Sequence, residues 1–263
     1  MSRGCPQAKF RLKTNMSYLQ SESVSGTAPR TRDPTWRRTG AIWHRPPRVR
    51  AQSVRRVCQA LLKRYGKPRL RNPKWPLDDL IFIIISNKTA PQTAVRTYLE
   101  LRRRFPQWDD VLTAHCAVLR GLLKPAGLSA VKSKQIRAAL RKISNDFGRC
   151  SLRSLRRLSS EDAEFYLRSL PGASEKVAKC VMMYTLGVPV LPVDAHVHRI
   201  ATRLGWTARK RADECHAELE SLVAPHRRYA FHVDCVVHGR AVCRPSMPAC
   251  GACCIRRYCD CKG

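Results

Sequence analysis

The sequence predicts an all-α protein. Apolar residues recur at helical spacing along most of the 263-residue chain, and Pro or Gly separates most of the successive runs. One run, residues 80–85, is rich in β-branched residues and alone would indicate a buried strand, but no other convincing strand is present to pair with it. No run of about 18 apolar residues occurs, so the sequence predicts no membrane span.

Local start and stop signals place the first helices. Ser53 can cap a helix near the start of the periodic region, and Gly66 can end it. Pro76 at a helix start and Asp78 and Asp79 in a first turn favour a buried core helix over a strand. Further helical patterns cover residues 92–104, 109–123, 130–147 and 152–158.

A helical pair follows in the middle of the chain. Ser159 and Asp162 have the spacing of a capping box, and the helix they start runs to a Pro-Gly break at residues 171–172. The second helix extends from about residue 174 to 186, with a glycine after it. After the proline-rich "VPVLPV", Asp194 stands in the N-cap position of another helix.

The charge of the chain points to nucleic acid as its partner. Lys and Arg number 50 against 19 Asp and Glu, a formal net charge of +31. When Lys and Arg side chains neutralise nucleic-acid phosphates, counterions are released, and this release favours binding. Residues 1–50 carry 11 of the basic residues and two acids, and we expect residues 1–52 to form a disordered basic arm. The arm also has the composition of an organelle transit peptide, and Met16 or a later residue is an alternative start.

The cysteines indicate a metal site in a reducing compartment. The chain has 13, an odd number, and no apolar signal segment, which argues against a secreted disulfide scaffold. Four of them have the spacing C-x6-C-x2-C-x5-C: Cys243, Cys250, Cys253 and Cys259. Four thiolates within 17 residues predict a closed all-thiolate site, for which zinc is the default metal.

The turn in "LPGASEKVAKC" has the form of a device that grips phosphate. Backbone N–H groups in such a turn and at the start of the following helix lack intrahelical partners and attract anions. We therefore expect Gly172, Ala173 and Ser174 to contact a DNA phosphate. A turn of this kind is in itself a common connection between two helices.

The longer segment "LPGASEKVAKCVMMYTLGVPVLPVDAHVHRIATRLGW" resembles the helix-hairpin-helix signature of the endonuclease III superfamily of DNA glycosylases. The resemblance covers residues 53–263 and implies a two-lobed helix-hairpin-helix glycosylase fold. It implies a helical barrel at residues 71–189 and an iron–sulfur cluster domain made of residues 53–70 and 190–263. The family hairpin reads Gly-x-Gly, and Ser174 replaces its second glycine.

The resemblance also implies the catalytic residues. In the family a lysine follows the hairpin and an aspartate in "VDTH" follows 18 residues later, and here Lys176 and Asp194 are 194 − 176 = 18 residues apart. Lys176 is thus implied as the amine that attacks C1′ and forms a Schiff base, and Asp194 as the carboxylate that stabilises the cationic sugar. We expect desolvation and nearby cations such as Lys179 to lower the pKa of Lys176.

The C-terminal cysteine spacing matches the family's 4Fe–4S ligand pattern, and "FHVDCVVHGRAVC" resembles the segment that leads into it. The resemblance thus implies a 4Fe–4S cluster, with zinc as the alternative metal. In the family the cluster loop presents basic residues to DNA phosphate. Arg244 alone lies between the first two ligands here, so we expect Arg256 and Arg257 to supply phosphate contacts.

Base-flipping residues are implied in two loops. The family fills the gap left by a flipped base from the stretch that matches "ISNKTAPQ", which makes Asn87, Lys88 and Gln92 candidates for the wedge or the base pocket. Leu128 in "PAGLSAVKSKQI" matches a second wedge position. Oxidised pyrimidines are the family's usual substrate. Local similarity to plant 5-methylcytosine glycosylases makes a modified or mismatched pyrimidine an alternative substrate.

We therefore expect a bifunctional DNA glycosylase with AP lyase activity that acts as a monomer on duplex DNA carrying a damaged or modified base or an abasic site. The alternative is a non-catalytic DNA-binding protein with the same hairpin and metal loop, which would need neither Lys176 nor Asp194. We expect a cytoplasmic location at the bacterial nucleoid, or a mitochondrial or nuclear one if the arm is a targeting segment.

Overall fold

The computed structural model describes residues 51–66 and 72–261. Residues 1–50 of the predicted basic arm lie outside them, and residues 51 and 52, which were expected to belong to the arm, are the first residues of a helix. Within these residues every regular element is helical and no strand occurs, which confirms the all-α class. The α-helices are α1 (Ala51–Tyr65), α2 (Pro76–Ser86), α3 (Pro91–Arg104), α4 (Asp110–Thr113), α5 (Cys116–Leu123), α6 (Ser129–Phe147), α7 (Ser160–Arg168), α8 (Glu175–Val181), α9 (Ala195–Arg203), α10 (His216–Leu222) and α11 (Pro225–Ala241).

Several predicted helix ends are confirmed. Helix α2 has Pro76 at its first position and replaces the strand that the β-branched run would suggest. The Ser159 hydroxyl caps α7 by accepting a hydrogen bond from the Asp162 N–H at 3.0 Å. Helix α1 ends before Gly66, which has φ +73°, but it begins at Ala51, so Ser53 lies inside the helix and is not its cap.

Three predicted helices differ in detail. The segment 109–123 is two helices, because His115 is extended and its Nδ1 accepts a hydrogen bond from the Ala117 N–H, which starts a new helix there. Residues 153–157 form a tighter 3₁₀ turn rather than an α-helix. The helix expected over 174–186 is regular only to Val181, and a wider π turn carries the chain to Leu186.

The buried apolar side chains form two clusters in one compact unit. The first draws on residues 77–190 and includes the inner faces of α2, α6 and α8. The second joins α1 to residues 191–255, with α11 packed on both α1 and α9. The division into residues 71–189 and 53–70 with 190–263 as separate domains stays a prediction. No helix among the described residues is long and apolar enough to cross a membrane.

Candidate active site

The hairpin between α7 and α8 is a tight turn closed by a hydrogen bond from the Ala173 N–H to the Leu170 carbonyl at 3.0 Å. Gly172 has φ +85°, and a Cβ atom there would lie 3.0 Å from the Cβ of Gln135 on α6. Both the backbone conformation and the neighbour therefore require glycine at this position. Ala173 is buried in the first cluster, so of this residue only the backbone faces the turn.

Ser174 replaces a family glycine without strain. Its φ is −67° and its ψ 169°, an extended conformation that any residue adopts. It occupies the N-cap position of α8, but its hydroxyl makes no capping hydrogen bond. The side chain is exposed, which leaves the hydroxyl available to a ligand at the helix N-terminus.

Asp194 is held by the start of α9, as the sequence predicts. Its Oδ1 accepts hydrogen bonds from the His196 and Val197 N–H groups at 2.9 and 2.8 Å. Burial would raise the pKa of this carboxyl, but His232, the Val197 N–H, His196 and Lys176 together outweigh burial, so the pKa of Asp194 lies below its ordinary value. Asp194 is therefore a carboxylate at neutral pH.

Lys176 and Asp194 are brought together, since the charge of each shifts the pKa of the other. Lys176 lies on α8, whose apolar face belongs to the first cluster, whereas Asp194 begins α9 beside the second. The Lys176 side chain is partly buried. A lysine amine and an ionised carboxylate thus lie within range of each other's charge, without a direct ion pair, at the junction of the two apolar cores.

The expected lowering of the Lys176 pKa is wrong. Its pKa lies above the ordinary value, with the Cys180 sulfur as the largest cause, burial opposing it, and Asp194 and Asp79 adding to it. Burial raises the pKa of Cys180 itself to about 11, so at neutral pH that thiol is uncharged. The Asp194 carboxylate is then the main charge that keeps Lys176 protonated, and Asp79 adds to it to the extent that it is ionised.

Lys179 does not face the amine of Lys176 as a free cation. It is buried on α8, and its Nζ lies 2.5 Å from Glu220 on α10 and 3.9 Å from Glu175. These two carboxylates, which also contact Arg168 and Arg228, screen the charge of Lys179.

Asp79 also belongs to this site, although its position in the sequence indicates only a role in the first turn of a helix. It is fully buried, its Oδ1 accepts a hydrogen bond from Asn72 at 2.7 Å, and its Oδ2 has no partner among the described residues. Burial raises its pKa to about 7, with the Asn72 hydrogen bond and Lys176 acting in the opposite direction. The signal that could have revealed it is an aspartate on the apolar face of the most hydrophobic helix.

We expect Asp79→Asn to raise Tm at pH 8 by about 5 °C and to leave Tm at pH 4 nearly unchanged. Folding raises the pKa of this carboxyl, so it does not change the free energy of unfolding at pH values below the pKa of the unfolded state. As the pH rises from there to about 7, the carboxyl lowers the free energy of unfolding progressively, and above about 7 the reduction is constant. Thermal melts across this range test the expectation. Asp78→Asn, which affects a partly buried neighbour paired with Arg102, is the control. An equal change at both pH values would contradict the burial of an ionising group.

The four base-flipping candidates lie on the surface. Asn87, Lys88 and Gln92 are exposed at the end of α2 and the start of α3, and Leu128, before α6, is 56% exposed. Lys88 has φ +54° and Leu128 φ +50°, a left-handed conformation that is costly for residues other than glycine. Strained, exposed residues of this kind are typical of functional loops.

The predicted metal ligands lie near one another after α11. Burial is the largest cause that raises the pKa values of Cys253 and Cys259. The nearby sulfurs of Cys243 and Cys250 raise the pKa of Cys253 further, and the sulfurs of Cys243 and Cys253 raise the pKa of Cys259 further. No three His, Cys, Asp or Glu side chains converge as ligands of a single ion within residues 51–66 and 72–261. In a 4Fe–4S cluster each thiolate binds a different iron, so its protein ligands do not need to converge on a single ion.

Two side chains, Arg203 and His238, contact this cysteine loop. Arg203 donates to the Cys243 sulfur at 3.1 Å and to the Arg244 and Pro245 carbonyls at 2.9 Å each. The Nε2 of buried His238 lies 3.5 Å from the Cys253 sulfur. Hydrogen bonds from neighbouring N–H groups stabilise ligating sulfurs, so the donor set fits a thiolate-bound cluster.

Beside these thiols lies a cavity of about 680 Å³. Its lining residues are Cys253, Cys254, Arg256, Arg257, Cys259 and Cys261. Arg256 and Arg257 are exposed on a 3₁₀ turn, and the Arg257 guanidinium lies 4.7 Å from the centre of the Tyr258 ring. Their exposure is what a phosphate contact requires.

The sequence is similar to known DNA repair proteins. The model of the HhH-GPD superfamily of base excision DNA repair proteins matches residues 81–225. A candidate DNA glycosylase of Arabidopsis thaliana is 33% identical over 62% of this chain, which spans 56% of that protein's length. Endonuclease III of Thermotoga maritima is 26% identical over 79% of this chain and 92% of its own length. The DNA glycosylase/AP lyase ROS1 of Arabidopsis thaliana is 26% identical over 77% of this chain, which spans 16% of that protein.

Solved structures share the fold. A non-covalent complex of endonuclease III with DNA aligns with a TM-score of 0.70 at 21% identity over 81% of this chain and 96% of its own. A thermostable thymine-DNA glycosylase aligns with a TM-score of 0.68 at 18% identity over 80% of this chain and 96% of its own. The family model covers more than half of the sequence and includes both Lys176 and Asp194. The chain therefore belongs to the HhH-GPD superfamily of base excision DNA repair proteins and has the fold of endonuclease III.

Proposed function

We propose that this base excision repair DNA glycosylase is bifunctional, with Lys176 as its nucleophile. The supporting observation is the partly buried Lys176 amine within range of the charge of the ionised Asp194 carboxylate. The Lys176 nitrogen attacks C1′ as the neutral amine, the glycosidic bond breaks, and the base leaves with its bonding electrons. Between the ammonium and the protonated Schiff base this nitrogen gives up two protons: the leaving base takes up one, and O4′ takes up the other when the C1′–O4′ bond breaks. Loss of the C2′ proton from the Schiff base then expels the 3′ phosphate and nicks the strand.

Asp194 acts as an electrostatic partner of the reacting sugar. A carboxylate whose pKa is lowered is a weak base, so it is poorly suited to store the proton that the Lys176 ammonium must lose. It is well suited to stabilise the positive charge that builds on the sugar as the glycosidic bond breaks. The two hydrogen bonds to Oδ1 hold the carboxylate in place before the substrate binds.

The substrate in this proposal is a damaged or modified pyrimidine in duplex DNA. The hairpin backbone at Gly172, Ala173 and Ser174 holds a phosphate, and Arg256 and Arg257 hold another. Asn87, Lys88, Gln92 and Leu128 enter the space of the flipped base. The exposure and the strained backbone of Lys88 and Leu128 support this assignment. Among the relatives, thymine-DNA glycosylase and ROS1 are named for activities on DNA bases.

A borohydride trapping assay on a panel of duplexes tests the catalytic proposal. The panel contains an oxidised pyrimidine, 5-methylcytosine, a thymine mismatch and a preformed abasic site. We expect a covalent protein–DNA adduct with the abasic site and with at least one of the modified bases. Release of a base without any adduct would instead identify a glycosylase that uses water as its nucleophile, and binding without adduct or base release would identify a non-catalytic DNA-binding protein.

We further propose that Cys243, Cys250, Cys253 and Cys259 hold a 4Fe–4S cluster. When bound, the cluster ties the C-terminal loop together and contributes folding energy there. The chain's own part is to present the thiolates, to donate hydrogen bonds to the sulfurs from Arg203, and to keep the exposed arginines of the loop in place.

Protein purified without oxygen is expected to be yellow-brown, with about four irons per chain. Cys250→Ser is expected to lose the iron and the thermal stability of the C-terminal part, because metal-binding energy is folding energy there. Iron analysis, absorbance and thermal melts make the comparison. Cys261→Ser, at an exposed cysteine outside the predicted ligand set, is the matched control. A colourless protein with one zinc per chain would reject the assignment.

A further inference from the structure

A buried lysine lies behind the two loops that carry the strained residues. Lys132 is on the first turn of α6 and is 2% exposed. Its Nζ donates to the Ile85 carbonyl at 2.7 Å, the Thr89 hydroxyl at 2.7 Å and the Ala126 carbonyl at 2.8 Å. An ammonium has three N–H donors, so all of them are used.

These three acceptors belong to both loops. Ile85 is in the last turn of α2, and its carbonyl is one of the groups left without an intrahelical partner, where a cation is favoured by the helix dipole. Thr89 follows Lys88 directly in the chain. Ala126 closes the turn that leads into Gly127 and Leu128.

Thr89 completes the link between the loops. Its hydroxyl contacts the Ile85 carbonyl at 2.8 Å and the Ala126 carbonyl at 2.6 Å, besides the Lys132 ammonium. The Lys132 backbone N–H also donates to the Leu128 carbonyl at 2.9 Å. The loop containing Lys88 and the loop containing Leu128 therefore share one buried hydrogen-bond network.

We propose that Lys132 is a positioning residue that fixes the separation and orientation of Lys88 and Leu128, so that both enter the duplex together when a nucleotide is extruded. This inference rests on the proposed function. A charged donor bonded to three buried oxygens is stronger than neutral hydrogen bonds, and its removal leaves those oxygens unpaired. The two left-handed residues then lose the support that holds their costly backbone conformations.

The test measures unstacking without catalysis. The probe is a duplex with a tetrahydrofuran abasic analogue opposite 2-aminopurine, whose fluorescence rises when it unstacks. Binding is followed by anisotropy on this duplex and on an intact one. We expect the native protein to prefer the abasic duplex and to raise the fluorescence. Lys132→Met is expected to bind the intact duplex as before, to lose most of the fluorescence rise, and to lose on the order of tenfold of its preference.

Two further variants keep the test decisive. Ile143→Ala weakens the buried face of α6 about three turns away from Lys132 and leaves the loops untouched, so it controls for lost stability. Thr89→Val removes the shared hydroxyl with little change of shape, and we expect it to lose the fluorescence rise as Lys132→Met does. It therefore provides the test if Lys132→Met does not fold.

The outcomes separate the inference from the proposed function. If Lys132→Met and Thr89→Val keep the full fluorescence rise, or if Ile143→Ala loses it equally, Lys132 has no positioning role. If the native protein neither prefers the abasic duplex nor raises the fluorescence, the proposed base-extruding function fails and the inference fails with it.

Discussion

Lys176→Ala is expected to abolish covalent trapping by borohydride and to lower strand cleavage by several orders of magnitude. The physical reason is that no Schiff base forms without an amine at C1′. Affinity for duplex DNA should change little, because one cation among 50 Lys and Arg contributes little to phosphate neutralisation. Gel analysis of trapped adducts and anisotropy measurements of binding give the two quantities.

Lys210→Ala is the matched control, since it removes a lysine that is exposed and distant in sequence from the hairpin. It is expected to trap as well as the native protein. A folded Lys176→Ala protein that still traps at the native level would identify another amine as the nucleophile. Lys176 would then be a cation that the Asp194 carboxylate pairs for structural reasons.

Features set by neighbouring residues could be predicted from the sequence. Pro76 at the start of α2, the Ser159 cap of α7 and the Asp194 cap of α9 each act within a few residues of their own position. The 18-residue spacing of Lys176 and Asp194 likewise identified the pair because of a family resemblance. The break at His115 was missed, since one hydrogen bond from a side chain decides it against a continuous apolar pattern.

Features set by contacts between distant segments could not be predicted. Gly172 is required partly because Gln135, on another helix, stands where a Cβ would be. The raised pKa of Lys176 arises in part from Asp79 on α2, and no local pattern connects the two. Nothing in the sequence near Lys132 distinguishes it from a solvent-exposed lysine. Its burial depends on the Ile85 carbonyl, which is 47 positions earlier in the chain and lies 2.7 Å from its amine.

Asp194→Asn is expected to lower base excision on the order of a hundredfold or more while keeping strand cleavage at a preformed abasic site. Excision needs a negative charge beside the cationic sugar, and cleavage of an abasic site has no glycosidic bond left to break. Folding should be preserved, because asparagine caps helices about as well as aspartate and can accept the same two backbone hydrogen bonds.

The residual strand cleavage of Asp194→Asn should also shift to lower pH. The Asp194 carboxylate raises the pKa of Lys176, so its removal lowers that pKa and increases the fraction of neutral amine at any given pH below it. Rates of cleavage at a preformed abasic site between pH 6 and 10, compared with native protein, measure the shift. Asp213→Asn, at an exposed acid paired with Arg211, should leave the profile unchanged. If the profile of Asp194→Asn stays in place or moves to higher pH, the Asp194 carboxylate does not act on the Lys176 amine.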